Sequence, residues 1–467
     1  MKIEEVTQKT DIAESIAVIR KTARELDVEV LKAQYSVKSH ETMNPAVRKK
    51  KTIKKAENSS SLVEVNRLAF PLQKRIVNSS VSFTFGSPVL LECEAKSEQE
   101  KLVLHAVARV LFDNKSGSLN RRMARNLFRS TEVAECWFPV PVGASEDSTH
   151  ETYGFKSSVK LRCKLFSPWL GDKLMPVFSA IGDMIAFGRE YSREDDGKKT
   201  IYFEAYTDDE TVVWVQKGQL WSEASRTPNA GSKIPIVYAS QEEPEWADVQ
   251  YSIERLETLL SNFADTNDYH ASPKIFIEGK ITGFSQKGET GAILQGDIGT
   301  KASYLSWDHA PESIKLEIET LLRFIYSFSQ TPDISFESVK GLGQISGEAL
   351  KMLFIDAHLK VQEKREVLDE YLQRRVNLLL NFIGVIDPSL KKVTDNLEIV
   401  PEIVPFVIND AKNLIDRMVS ANGGKPILSQ RTSIAVSGLV EDVDAEYKLI
   451  LEEQANDNLF DVTQSTF

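Results

Sequence analysis

The sequence predicts a multidomain α+β protein, on three observations. The chain has 467 residues, room for two to four units at roughly 100–200 residues each. Residues 153–240 are rich in Val, Ile, Phe, Tyr and Trp between turn residues, the composition of an antiparallel meander. Helical periodicity lies on both sides of that stretch and runs longest from residue 347 to 383.

Composition narrows the class. Hydrophobic residues are 42% and charged residues 27%, a globular balance that excludes a wholly disordered chain. The net charge of −11 argues against a protein that grips nucleic acid over its whole surface, because phosphate neutralisation needs excess Lys and Arg. Cys93, Cys136 and Cys163 are odd in number, far apart and in no CxxC pair, so neither a disulfide framework nor a zinc cage is indicated. Synthesis in a reducing cytoplasm fits. Met-Lys-Ile-Glu-Glu opens without a signal-peptide core, and the apolar stretch Val376 to Ile386 carries Asn377 and Asn381. It is shorter than the about 20 apolar residues a membrane span requires.

In chain order, residues 1–60 read as a helical start followed by a loose arm. Arg48, Lys49, Lys50, Lys51, Lys54 and Lys55 make it basic, and Asn58 to Ser61 ends it. It is either a solvated linker or an arm that touches nucleic acid or an acidic neighbour. From Leu62 the pattern turns helical and stops at Phe85-Gly86-Ser87-Pro88. Further helices are expected over about 98–112 and 119–137, the latter with Arg121, Arg122, Arg125 and Arg129 in surface ion pairs or a DNA patch. Strands are expected at 158–166, 177–191, 200–206 and 211–216, with turns at Asp195-Asp196-Gly197 and Thr207 to Glu210.

The next helix carries the most information. Glu242-Glu243-Pro244 starts it, since proline suits a first turn and acids suit the positive end. Trp246, Val249, Ile253, Leu256, Leu260 and Phe263 then recur at alternating three- and four-residue spacing, a seam for another helix. Around the seam, residues 242–268 hold eight acids, among them Glu245, Asp248, Glu254, Glu257 and Asp265, against one base, Arg255. A glycine-punctuated β insert follows over 273–305, then a helix from Ala310-Pro311-Glu312 to about Ser327. A segment over 329–346, Lys340, Gly341, Leu342, Gly343, Gln344 and Ile345 near its end, leads into the long helix, expected to close at Gly384. At about 1.5 Å per residue that helix would be roughly 55 Å long, a spine. The remainder is helical, and disorder is expected from about residue 456.

No catalytic constellation emerges. The glycines at 341, 343 and 347 miss dinucleotide-loop spacing, and Pro426 after Gly423-Gly424-Lys425 stands where a phosphate loop needs Ser or Thr. The six histidines show no paired-ligand spacing, and His358 beside Asp356 reads as a surface pair. No cofactor is implied, and a structural protein is favoured over an enzyme. Two alternatives stay open: a metal-dependent nucleic-acid enzyme using Asp195, Asp196, Asp208 and Asp209, and a coiled-coil adaptor.

The order of parts, and local stretches within it, resemble the portal proteins of tailed double-stranded-DNA bacteriophages, of the long-tailed Bacillus-phage type. The stretches are Asn66-Arg67-Leu68 with Phe85-Gly86-Ser87-Pro88, Pro235 to Tyr238 before Glu242 to Ser272, Gly341 to Leu350, and Leu428 to Glu446. The resemblance covers roughly residues 60–455. It implies a ring, commonly of twelve copies, at one capsid vertex of the virion. It also implies double-stranded DNA in the channel, docking of the terminase large subunit and head-completion or connector protein, and contact with major capsid and scaffolding proteins. By position it implies a wing over 61–242, stem helices over 243–270 and 307–328, and a clip over 271–306. A tunnel loop over 329–346, a long wing helix over 347–383 and a crown over 384–455 complete it. Lys340 to Ile345 would then approach DNA, with the acids named above lining a stem that repels it. The apolar seam would hold neighbouring copies together. No membrane role is implied.

Overall fold

A computed structural model describes residues 1–56, 59–143, 148–195, 197–270, 274–279, 281–284, 294–296, 298–305, 311–333, 354–406, 419–421, 427–438, 440 and 442–464. It divides into two units, 1–333 with 356–406, and 334–355 with 407–467. Mixed helix and sheet is the observed class.

The larger unit opens with α1 (Ile3–Thr7), α2 (Ile12–Arg20) and α3 (Val28–Tyr35). This is the expected helical start, and Ile3, Ile16 and Ile19 bury it against a sheet. The basic stretch makes a hairpin, β1 (Lys51–Ala56) with β2 (Ser59–Val63). Helix α4 (Leu72–Phe85) starts after Pro71, so residues 62–71 stay non-helical, contrary to their periodicity. A short β3 (Leu90–Glu92) precedes α5 (Glu98–Asp113), whose start is set by a Ser97/Glu100 capping box.

Helix α6 (Ser116–Ser130) ends seven residues before its expected close. Thr131 turns left-handed with φ 62°, and β4 (Glu132–Pro141) takes over Trp137. Helix was expected through Val133-Ala134-Glu135-Cys136-Trp137, and burial within a sheet makes it strand. Strands β5 (Val159–Phe166), β6 (Lys173–Phe178), β7 (Met184–Asp195), β8 (Lys198–Tyr206), β9 (Glu210–Lys217), β10 (Leu220–Pro228) and β11 (Ile236–Ser240) follow.

They form two antiparallel sheets: β6 to β10 in sequential order, and β11-β4-β5. The single strand expected at 177–191 is a hairpin, because Gly182 (φ 92°) closes a turn in which the Ser179 N–H donates to Asp183. Helix α2 lies on the five-stranded sheet, where a Cβ on Gly188 would come 2.5 Å from Ile19.

Helix α7 (Gln250–His270), entered through a turn of 3-10 helix at Ala247–Val249, leads into four short strands. These are β12 (Lys274–Glu278) paired with β15 (Lys301–Leu305), and β13 (Ile281–Phe284) paired with β14 (Leu294–Gly296). Helix α8 (Pro311–Phe328) closes the excursion. Spine helix α9 (Ile355–Ile386) runs through Gly384, which packs so tightly that a Cβ would meet the Thr394 hydroxyl at 2.5 Å. It stops instead at Asp387, since a residue before proline is disfavoured in α conformation. Strand β16 (Val400–Glu402) pairs back on β3. The core joins α4, α5, α6, α7, α9 and the β4 sheet around Trp137, Phe128, Tyr371 and Trp246.

In the smaller unit, helices Gln430–Ser437 and Val443–Gln464 are linked by Arg431 to Asp444 at 2.5 Å. The second continues past residue 456, where disorder had been expected. No Gly or Pro interrupts residues 443–464.

Candidate functional site

The acid-rich helix is the centre of the functional reading, and its two faces have different fates from those the spacing suggests. Trp246, Val249, Ile253 and Leu256 are buried in the unit's own core, with Leu260 packed at its edge. Their cluster includes Ile325 of α8, flanked by Ile318, Leu321 and Leu322. The indole N–H of Trp246 donates to Gln34 at 3.0 Å. Phe263 is half-buried. The seam therefore joins α7 to elements of the same chain, not one copy to the next. Three-four spacing is the same whichever chain supplies the facing helix, so the pattern alone could not separate the two. Arg255 adds an ion pair to Glu317 of α8 at 2.7 Å.

Two of the five candidate lining acids cannot face a channel. The Glu245 side chain is inaccessible, with the Lys360 and Lys364 ammoniums of α9 at 2.6 and 3.0 Å and the Ser80 hydroxyl donating at 3.0 Å. Burial pushes its carboxyl up, but the two lysines outweigh that and hold it below the usual range. Glu257 is buried too, 2.7 Å from Nδ1 of His40 and accepting the Phe70 N–H at 2.8 Å. Asp265 takes Arg48 at 2.7 Å, Lys51 at 3.0 Å and the Asn66 N–H at 2.7 Å. Burial raises its carboxyl, and the Asn66 N–H with Lys51 and Arg48 brings it down below normal. Glu254 is half-buried and accepts from Gln250 at 2.8 Å, and Asp248 is exposed. A carboxylate so desolvated must be paired, and the chain supplies the pairs itself.

The basic stretch and the acid helix thus answer each other. Asn66, Leu68 and Phe70 donate their N–H groups to Asp265, Ser261 and Glu257. Two residues of extended chain rise about 6.6 Å, and four of helix about 6.0 Å, so every second amide meets every fourth helical side chain. Replacing Asp265 with Asn is expected to cost about 1.5–3 kcal/mol, the worth of hydrogen bonds to a charged group. Limited proteolysis checks it: cleavage at Lys49–Lys55 should speed up, and an unchanged rate would mean the basic stretch is held elsewhere.

The tunnel-loop candidates Lys340, Gly341, Leu342, Gly343, Gln344 and Ile345 lie outside the described residues, as do Gly347 and Gly423 to Pro426. Of the turn carboxylates, Asp208 and Asp209 face the amino group of Met1 at 2.5 and 3.2 Å, and Asp196 is outside the described residues. Among the described residues no group of three His, Cys, Asp or Glu could hold a metal ion. Arg129 lies 4.2 Å over the Trp169 ring, and Arg125 donates to Asn78 at 3.5 Å, and among the described residues neither makes the ion pair expected of it. Burial pulls the Arg129 guanidinium down to about 10. His358 packs edge-on against Phe83.

Sequence reasoning missed the cations inside the fold. Lys360 also donates to the Ser329 carbonyl at 2.9 Å, tying the end of α8 to the spine. Arg375 grips Glu135 in the core. The signal was a Lys pair four residues apart and an Arg beside an apolar run.

A family model for phage portal proteins of the SPP1 Gp6-like type matches residues 21–458. Solved structures with similarity include the neck of an empty GTA particle computed with C6 symmetry, 11% identical over 80% of this chain and 91% of that one, TM-score 0.44. The virion of the native gene transfer agent particle is 12% identical over 80% and 91%, TM-score 0.43. The neck of the native GTA particle computed with C12 symmetry is 12% identical over 79% and 90%, TM-score 0.41. The search of curated proteins finds no match. No helix among the described residues is long and apolar enough to cross a membrane. With its model matched over nearly the whole length, the chain belongs to the SPP1 Gp6-like phage portal family, and as such is a structural component of the capsid and not an enzyme.

Proposed function

We propose that copies of this chain, twelve in number, close into a ring at one capsid vertex and form the conduit for double-stranded DNA in packaging and ejection. The ring docks the terminase large subunit, then head-completion or connector protein, and meets major capsid and scaffolding proteins. The family match over residues 21–458 carries this reading. The helix-insert-helix excursion of α7, β12–β15 and α8 supports it as stem and clip, with the α9 spine behind it. Helix α8 supports it further: Leu316, Phe324 and Phe328 are exposed in one stripe at multiples of four residues. Large apolar side chains exposed on one helix are the surface an interface would cover. Asp248 and Glu254 remain as acids for a channel wall that keeps a polyanion from sticking, and Lys340 to Ile345 as the loop that approaches DNA.

Negative-stain images of the purified chain should show closed rings with a central opening. Deleting Gly341–Ile345 should leave the rings intact and reduce DNA packaging. Elongated dimers would favour a coiled-coil adaptor instead, and unchanged packaging would take the loop away from the DNA.

A further inference from the structure

Two strand pairs of the larger unit expose faces that match each other in chemistry. On β4 and β5, Phe138 stands opposite Arg162, Val140 opposite Lys160, and Cys136 opposite Lys164. Phe138, Val140, Arg162 and Lys164 are exposed and Lys160 is half-buried. The three cations occupy alternate positions about 7 Å apart. Arg162 reaches only a carbonyl, that of Asp113 at 3.3 Å, and Lys164 lies 5.7 Å from the Phe166 ring. Glu204 shares a hollow with Lys164 but is taken by Arg189, Tyr191 and Tyr206. Among the described residues no carboxylate pairs with any of the three.

The β3–β16 ribbon is the counterpart. Leu90 stands opposite Glu402, and Glu92 opposite Val400, while Leu91 and Pro401 turn inward. Leu90 and Val400 are each 51% exposed. Glu92 and Glu402 lie at diagonal positions across the ribbon, and the nearness of the like Glu402 carboxyl raises the Glu92 carboxyl above its usual range. Like charges across a strand pair are destabilising. The adjacent hollow holds two arginines, but Arg365 is paired with Asp369 and Arg374 with Glu370. The carboxylate pair is left without a cation among the described residues.

We propose that these faces are the two halves of one head-to-tail contact between neighbouring copies of this chain. The β3–β16 ribbon of one copy lies on the β4–β5 face of the next. Leu90 and Val400 meet Phe138 and Val140, and Glu92 with Glu402 meets Lys160, Arg162 and Lys164. The faces differ, so the contact is heterologous and propagates into a ring if the rotation closes. It rests on the ring reading above and names surfaces that reading does not. Guarding an edge strand with charge would account for the cations. It would not account for the exposed Phe138 and Val140 beside them, nor for an uncompensated carboxylate pair elsewhere.

Charge exchange tests this in the full chain, by sedimentation velocity and negative-stain imaging. Arg162→Glu/Lys164→Glu and Glu92→Lys/Glu402→Lys should each raise the concentration needed for assembly at least tenfold. An equimolar mixture of the two variants should assemble within about threefold of wild type, because every contact in an alternating ring then joins opposite charges. That rescue also shows that both variants are folded. Either variant assembling like wild type, or a mixture that stays dissociated, overturns the contact while leaving the ring reading in place. A wild-type chain that never assembles overturns both. Loss of DNA binding by Arg162→Glu/Lys164→Glu with assembly untouched would assign the cations to a polyanion, and that too overturns the contact.

Discussion

Replacing Arg375 with Met is expected to destabilise the larger unit by about 3–5 kcal/mol, the cost of leaving a buried charge without its partner. Arg375 sits on α9 with 2% of its surface exposed, and Glu135 on β4 is fully buried. Two guanidinium nitrogens reach the Glu135 carboxylate at 2.5 and 2.9 Å, and a third donates to Asn120 of α6 at 2.6 Å. Burial pulls the guanidinium pKa down, but Glu135 and Tyr371 outweigh it and hold it above the usual value. One side chain thus ties the spine, a helix and the central sheet.

Without it Glu135 loses its cation and keeps the neutral Trp137 indole N–H at 3.1 Å. The urea midpoint should fall accordingly. The double variant Arg375→Met/Glu135→Leu should recover much of the loss, because both charges leave the core together. A single variant as stable as wild type would mean water reaches Glu135.

Glu132 gives a second large effect, read through pH. It is 3% exposed at the start of β4, and the Tyr238 hydroxyl donates to it at 2.8 Å. Burial raises its carboxyl from the usual 4.5 to about 7, with Tyr238 and Arg24 opposing only in part. Between those values the folded chain holds a proton that the unfolded chain has released. The stability from this site is therefore complete below pH 4.5 and is lost as pH rises through 7. At about 1.4 kcal/mol per unit, the span is about 3 kcal/mol. Glu132→Gln should lack this fall between pH 5 and 8, so the gap between variant and wild type should change with pH. Parallel stability curves would show that Glu132 is ionised throughout.

Element types were legible where periodicity was long and caps were present. The helix over 98–112, the helix-insert-helix order and the meander of β7 to β9 follow from local residues. Boundaries were less legible where a segment fits two states. Residues 119–137 carry helical spacing across a stretch that becomes strand at Glu132, and only pairing with β5 and β11 selects it. Gly384 reads as a stop until Thr394 packs against it and makes any larger residue too big.

The sequence by itself determined the family, the seam on α7 and the excess of acid around it. Tertiary structure alone decided what the acids and the seam face. Glu245 and Glu257 are socketed by Lys360, Lys364, His40 and the Phe70 amide, and Asp265 by Arg48, Lys51 and Asn66. Those partners lie far away in the chain. Periodicity reports which residues share a side of a helix, whereas the energy of a charge depends on what is brought against that side.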